Sequence, residues 1–321
     1  MTDAMRIWYV AGQRLCNFGC PYCVSTGDWS KSRRYDWTDP ADRDVLAATV
    51  GWIGSRPQPV EVRLGSLGEP FASSFFLQQA GWLTRQDNVR YVELLSNASL
   101  LERRLPLLAE TAEMAKVSLW LTWHPGQIGL EKFTDAAALA HDAYGCFVVV
   151  NALLFDPADA AGARRVRDAA RRAGLRFNLD LGYDPTATTA SPTGAVPLLC
   201  AVGHDHERAL QVIEEAGGDP ALTRLALTAL AGPRELECRA GHDYLFIDIH
   251  GVAYRCSRYA AADLHPLGRV LDPGFRLETR AATWAPCGAN GGCCNKEDFL
   301  NLRLGERLRP RDLPSLGWIG A

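Results

Sequence analysis

Six short apolar runs, Ile7 to Val10, Val60 to Leu64, Tyr91 to Leu95, Val117 to Thr122, Phe147 to Leu153 and Leu175 to Leu181, recur with helix-length stretches between them. Strands joined by helices are parallel neighbours, because a helix-length crossover returns the chain to the same end of the sheet. Helices are expected over Ala41 to Ile53, Ser73 to Thr84, Leu100 to Glu113, Glu131 to Ala143, Ala158 to Ala173 and His206 to Ala216. The fifth is the best punctuated: Asp156 caps it, Pro157 takes the first helical position and Gly174 closes it. The stretch Tyr183 to Gly194 reads as a loop after the sixth strand. From about Gly232 the alternation stops, and a cysteine-rich segment with hairpin character follows.

The length of 321 residues and a hydrophobic share of 47% suffice for one large core plus an extension. A net charge of -3 gives no electrostatic case for nucleic acid or an anionic membrane as partner. No apolar run reaches the roughly 18 residues a membrane span needs, and the N-terminus lacks signal-peptide form, so a cytoplasmic location is expected. Cysteine usage agrees with a reducing compartment: the ten cysteines gather mainly in two groups with metal-ligand spacing. Cys146, opening an apolar run, reads as a small core residue.

The first group follows the first strand. Cys16, Cys20 and Cys23 form a C-x3-C-x2-C trio, with Gly19 and Pro21 suited to a tight loop. A closed zinc or electron-transfer iron-sulfur site takes four protein ligands, so three point to a cluster with one iron left for a substrate or cofactor. A structural zinc knuckle is the competing use of such a trio.

This segment resembles the signature loop of the radical S-adenosylmethionine (SAM) enzymes. The resemblance implies that Cys16, Cys20 and Cys23 hold a [4Fe-4S] cluster whose fourth iron is chelated by SAM, and that Tyr22 lies beside the adenine. It also implies that the chain cleaves SAM to a 5'-deoxyadenosyl radical, with the cofactors carrying the hard chemistry. The fold it implies is a partial (β/α)6 barrel over residues 1–232, with the active site at the carboxyl ends of the strands. An external electron donor such as flavodoxin or ferredoxin is implied as well.

Residues after the later strands extend the resemblance. Gly65-Ser66-Leu67-Gly68-Glu69-Pro70 is similar to the family's Gly-Gly-Glu-Pro motif, which places Gly68 and Glu69 at the SAM amino group; Leu67 departs from the motif's first glycine. Ser96-Asn97-Ala98 resembles the family's Thr-Asn-Gly segment, and the resemblance gives Thr122 and Asn151 places beside SAM. From the residues alone, Ser96 and Asn97 also suit a turn, and Asn151 a buried satisfied amide. His124 either meets the substrate or transfers a proton, since imidazole titrates near neutrality, or it holds the loop before Pro125. Lys31, Arg33 and Arg34 follow the trio among aromatics; Arg34 is a candidate for gripping a substrate carboxylate or phosphate, against the alternative of a solvated loop.

The second group comprises Cys238, Cys256, Cys287, Cys293 and Cys294. Between the first two, Tyr244 to Tyr254 reads as a hairpin turning near His250-Gly251. The arrangement resembles the SPASM/twitch extension of radical SAM enzymes and implies one auxiliary [4Fe-4S] cluster in residues 233–321. Its ligands would be Cys238, Cys256 and Cys287, with either Cys293 or Cys294; zinc is the other metal a four-cysteine set accommodates.

The expected function is hydrogen abstraction from a small polar metabolite, a sugar, cyclitol or nucleoside, in natural-product biosynthesis. Dehydrogenation assisted by the auxiliary cluster is one outcome. Alternatives are crosslinking or epimerisation of a ribosomal peptide, sulfur insertion or decarboxylation, and, outside catalysis, an iron-sulfur carrier or sensor. The first strand begins within a few residues of Met1, which leads to the expectation of a metabolite over a leader-bearing peptide.

Overall fold

The computed structural model describes residues 4–20, 22–23, 40–184, 196–197, 206–289, 293 and 296–303. Six parallel strands form its frame: β1 (Met5–Ala11), β2 (Val60–Ser66), β3 (Val89–Ser96), β4 (Val117–Thr122), β5 (Phe147–Leu154) and β6 (Arg176–Leu181). They lie side by side in chain order, each paired in parallel with the next. The crossovers carry α1 (Pro40–Gly54), α2 (Ser74–Thr84), α3 (Leu101–Thr111), α4 (Leu130–Asp142) and α5 (Ala160–Arg172). Strand β1 alternates, burying Met5, Ile7, Tyr9 and Ala11, while β4 is buried along nearly all its length, as a strand covered on both faces must be.

Local chemistry sets the helix ends. Ser73 Oγ accepts from Phe76 N at 3.2 Å and starts α2. Asp156 and Asp159 form a capping box, but the turn Pro157–Asp159 is 3-10, so the α-helix proper begins at Ala160, two residues later than expected. Gly174, at φ +67°, lets Leu175 N reach back to Ala170 O at 2.9 Å and closes α5. The short strands β7 (Tyr183–Asp184) and β8 (Val196–Pro197) pair antiparallel within the region expected to be a loop.

After α6 (His206–Ala216) comes a helix the sequence pattern did not single out, α7 (Pro220–Ala231), capped by Asp219. The remaining elements are β9 (Glu237–Cys238), β10 (Tyr244–Ile247), β11 (Val252–Tyr254), α8 (Ser257–Ala261), β12 (Gly268–Arg269), β13 (Ala285–Pro286) and α9 (Lys296–Phe299). The expected hairpin is present: β10 and β11 pair antiparallel, with Gly251 at φ +77° in the connection. The sheet, however, does not stop at the barrel. Strand β10 pairs in parallel with β1, Ile7 opposite Leu245, and makes one nine-stranded sheet ordered β12-β11-β10-β1-β2-β3-β4-β5-β6.

Two apolar clusters are formed by the described residues. The larger joins the barrel strands to α1–α5; the smaller contains Leu222, Leu225 and Ala229 of α7 with Cys238, Tyr244, Phe246, Cys256, Cys287, Cys293 and Phe299. Helix α7 therefore packs with the C-terminal segment, although it precedes residue 232 in sequence. Cys146 is a buried core residue of the larger cluster. Among the described residues no helix is long and apolar enough to cross a membrane.

Candidate active site

A cavity of about 360 Å³ opens at the carboxyl ends of the strands. Its wall includes Cys16, Cys20, Cys23, Tyr22, Gly68, Glu69, Ser96, Asn97, Thr122, His124 and Asn151, so the expected site residues of the barrel that are described converge there. Arg34 and Cys294 lie outside the described residues.

The cysteine loop is fixed to β2 by main-chain hydrogen bonds that continue the strand pairing. Gly68 N donates to Gln13 O and Glu69 N to Leu15 O, each at 2.8 Å, and the buried Gln13 Nε2 donates to Glu69 O at 2.7 Å. A Cβ on Gly68 would stand 2.3 Å from Leu15 O, so only glycine fits this crossing. At Gly68 the close approach is therefore between two protein backbones. Asn17 ties the other side of the loop: its Nδ2 donates to Ser99 Oγ at 2.8 Å, and Asn97 Nδ2 donates to its Oδ1 at 3.1 Å. Ala98 takes φ +62° in this turn, where the resembled segment carries glycine.

Glu69 is buried and accepts from Phe71 N at 3.1 Å, Ser96 Oγ at 2.8 Å and Asn97 N at 2.8 Å. Burial outweighs these three donors and lifts its carboxyl from the ordinary range to about 7. Proximity to a cation would restore the charged form. Thr122, Asn151 and Asn178 form a chain across three strand ends: Asn178 Nδ2 donates to Asn151 Oδ1 at 2.6 Å, and Asn151 Nδ2 to Thr122 Oγ1 at 3.3 Å.

His124 lies under Tyr22, its ring stacked at a 5.9 Å centroid distance and its Nδ1 3.2 Å from the Tyr22 hydroxyl. Burial pushes the imidazole down to about 4. Desolvation disfavours the imidazolium, and the Nδ1 contact with the Tyr22 hydroxyl ties the ring to the cysteine loop.

The inner wall carries charge that the motifs did not reveal. Arg63 of β2 is paired with Glu93 of β3 and Glu297 of α9, all buried, with Trp120 beside it. Lys296 and Glu297 reach the cavity from the C-terminal segment, as do Leu222, Thr223 and Ala226 of α7. The sequence signal was a charged residue inside each of two apolar strand runs, Arg63 in the second and Glu93 in the third.

The donor sets bear on the metals the chain can hold. At the trio the Cys20 thiol is raised to about 11, chiefly by burial and with charge repulsion from Cys23 and Cys16 contributing, while Tyr22 opposes. Three thiolates so placed repel one another, and a cationic cluster reverses that sign, so this donor set fits an iron-sulfur cluster with one open iron. In the second group Cys238, Cys256, Cys287 and Cys293 are all buried within the smaller cluster. Burial holds the Cys293 thiol well above its usual value, and the charges of Asp298 and then of Cys256, Cys287 and Cys238 add to the rise. Four soft thiols in an apolar pocket are the ligand type that an iron-sulfur cluster takes. No three His, Cys, Asp or Glu side chains among the described residues stand close enough to hold a single metal ion.

No family model matches the chain, and a search of curated proteins finds no match. Solved structures do match. Native anSMEcpe with bound AdoMet is 15% identical, with 98% of this chain and 89% of that chain covered at a TM-score of 0.52. The hexahistidine-tagged anSMEcpe with bound AdoMet gives 15%, 98%, 85% and 0.53. Native anSMEcpe with bound AdoMet and Kp18Cys peptide gives 14%, 98%, 89% and 0.51. In architecture the chain is similar to these structures along nearly its whole length, and the likeness shows its fold: a largely parallel sheet with helices, a partial TIM-like barrel.

Proposed function

We propose that the chain is a radical SAM enzyme acting on a small polar metabolite, with residues 1–232 as its catalytic core and 233–321 as an extension carrying one auxiliary [4Fe-4S] cluster. The observation that carries the reading is the convergence of Cys16, Cys20 and Cys23 with Glu69 on one cavity at the strand ends. Bound there, an iron-sulfur cluster and SAM would together supply one-electron, hydrogen-abstracting chemistry.

The chain's own residues do the rest. Cys16, Cys20 and Cys23 hold the cluster; Gly68 lets β2 grip their loop. Glu69, held by Ser96 and Asn97, presents a carboxylate to the SAM amino group, while Tyr22, Thr122 and Asn151 line the remaining SAM surface. The cavity is bounded by Leu153, Phe155, Leu179 and Phe299, apolar walls that exclude water from a reactive radical. Neutral His124 positions Tyr22. Cys238, Cys256, Cys287 and Cys293 hold the auxiliary cluster, which suits an electron-accepting role in dehydrogenation. A flavodoxin- or ferredoxin-type protein is the proposed donor.

A peptide substrate is the second reading, favoured by the similar architecture of anSMEcpe, whose structure includes a bound Kp18Cys peptide. The two-cluster proposal is tested by iron and sulfide analysis after anaerobic reconstitution. About eight irons per chain are expected, falling to about four in a Cys16→Ala/Cys20→Ala/Cys23→Ala variant; about four irons in the wild type would remove the auxiliary cluster.

A further inference from the structure

One group on the cavity wall has no use in holding either cofactor. Lys296 of α9 is 8% exposed, and its Nζ finds no hydrogen-bond acceptor among the described residues. The ammonium lies 3.5 Å from the centroid of the Trp120 ring and 3.9 Å from Asp180 Oδ1, beyond hydrogen-bond reach. Asp180, at the end of β6, lines the same cavity with its side chain 35% exposed.

An ammonium has three donor protons and accepts nothing. The Trp120 face stabilises its charge but leaves those donors without oxygen acceptors, which is costly in a buried place. A molecule in the cavity that offers an oxygen satisfies them. The charge balance limits which oxygen: Arg63 is already held between Glu93 and Glu297, and Lys296 faces Asp180. With Glu69 also on the wall, the described residues set two cations against four carboxylates and leave no positive charge to spare for an anion.

Resting on the radical SAM reading, we propose that Lys296 and Asp180 form the substrate subsite and take an uncharged hydroxyl-bearing carbon, Lys296 Nζ donating to the substrate oxygen and Asp180 accepting from its O–H. The substrate class is then a neutral polyol, a sugar, cyclitol or nucleoside without phosphate or carboxylate at this end. Specificity is set in part by α9, a C-terminal element, which explains why a charged lysine is carried into the mouth of the barrel.

Calorimetry on the reconstituted, SAM-loaded protein tests this with three matched pairs: myo-inositol and inositol 1-phosphate, glucose and glucose 6-phosphate, uridine and UMP. At least one neutral member is expected to bind, on the order of 10-fold or more tighter than its phosphate. Lys296→Met should weaken that binding by roughly 10- to 100-fold, the loss of a charge-assisted hydrogen bond, and Lys296→Arg should restore part of it. If Lys296→Met fails to fold by circular dichroism, Asp180→Asn, at a more exposed position, reads the same subsite with the same expected loss. Equal or tighter binding of the phosphates, no binding of any neutral member, or unchanged affinity in the variants overturns the proposal. SAM binding to the wild type is measured first. Its absence refutes the radical SAM reading, and the pairs are then titrated against the protein alone; its presence with any overturning outcome refutes the subsite only.

Discussion

Replacing Gly68 with alanine strikes the joint between the cysteine loop and the barrel. The new Cβ would lie 2.3 Å from Leu15 O and 2.7 Å from Arg14 C and Leu15 C, all backbone atoms, so no side chain can swing aside. Relief requires the two segments to part. That lengthens the hydrogen bonds from Gly68 N to Gln13 O, from Glu69 N to Leu15 O and from Gln13 Nε2 to Glu69 O. At about 1 kcal/mol each, their loss costs about 3 kcal/mol. With a urea slope of roughly 3 kcal/mol per molar, the unfolding midpoint falls by about 1 M. Gly129→Ala is the control, because a Cβ there meets nothing within 4 Å; it should stay within about 0.5 kcal/mol of wild type. The same variants are assayed for iron after reconstitution, where Gly68→Ala alone should load poorly at the trio. Wild-type stability and wild-type iron content in Gly68→Ala would refute the claim that this crossing positions the loop.

Three further outcomes follow from the buried charges. Glu69, with its folded pKa raised to about 7, binds protons that the unfolded chain has released, so stability should fall as pH rises from about 4.5 to 7, by about 3 kcal/mol in all; urea midpoints across that range should lose this slope in Glu69→Gln. Arg63→Met leaves Glu93 and Glu297 buried without their partner and should cost about 3–5 kcal/mol, whereas a loss under about 1 kcal/mol would show that the network contributes little to stability. His124 should titrate by NMR with a midpoint near 4, and a midpoint near 6.5 would contradict its burial beneath Tyr22.

The frame was legible because strands buried on both faces are apolar runs and Asp156, Pro157 and Gly174 are local signals. Cys16, Cys20, Cys23 and Glu69 were legible because they follow those runs, and Asn151 because it is a polar residue inside one. What joins them was not. The bond from Asn17 to Ser99 crosses 82 residues, and Tyr244 meets Asp298 across 54; local pattern carries no information at such separations. Helix α7 was missed although Asp219-Pro220 is a sound start signal, since its register is governed by packing against the C-terminal segment. The pairing of β10 with β1 was hidden for a related reason: β10 reads equally well as half of an isolated hairpin. Lys296 stands in the sequence between cysteines and acids with no local sign of burial, and only the fold places it over Trp120.

The central claim is that the cavity beside Cys16, Cys20 and Cys23 cleaves SAM. Anaerobic incubation of the reconstituted protein with SAM and dithionite, followed by chromatography for 5'-deoxyadenosine, tests it most directly. The wild type should form 5'-deoxyadenosine and Cys20→Ala none above background. A reconstituted wild type with a full iron complement that forms no 5'-deoxyadenosine, or a Cys20→Ala variant that forms as much, would contradict it.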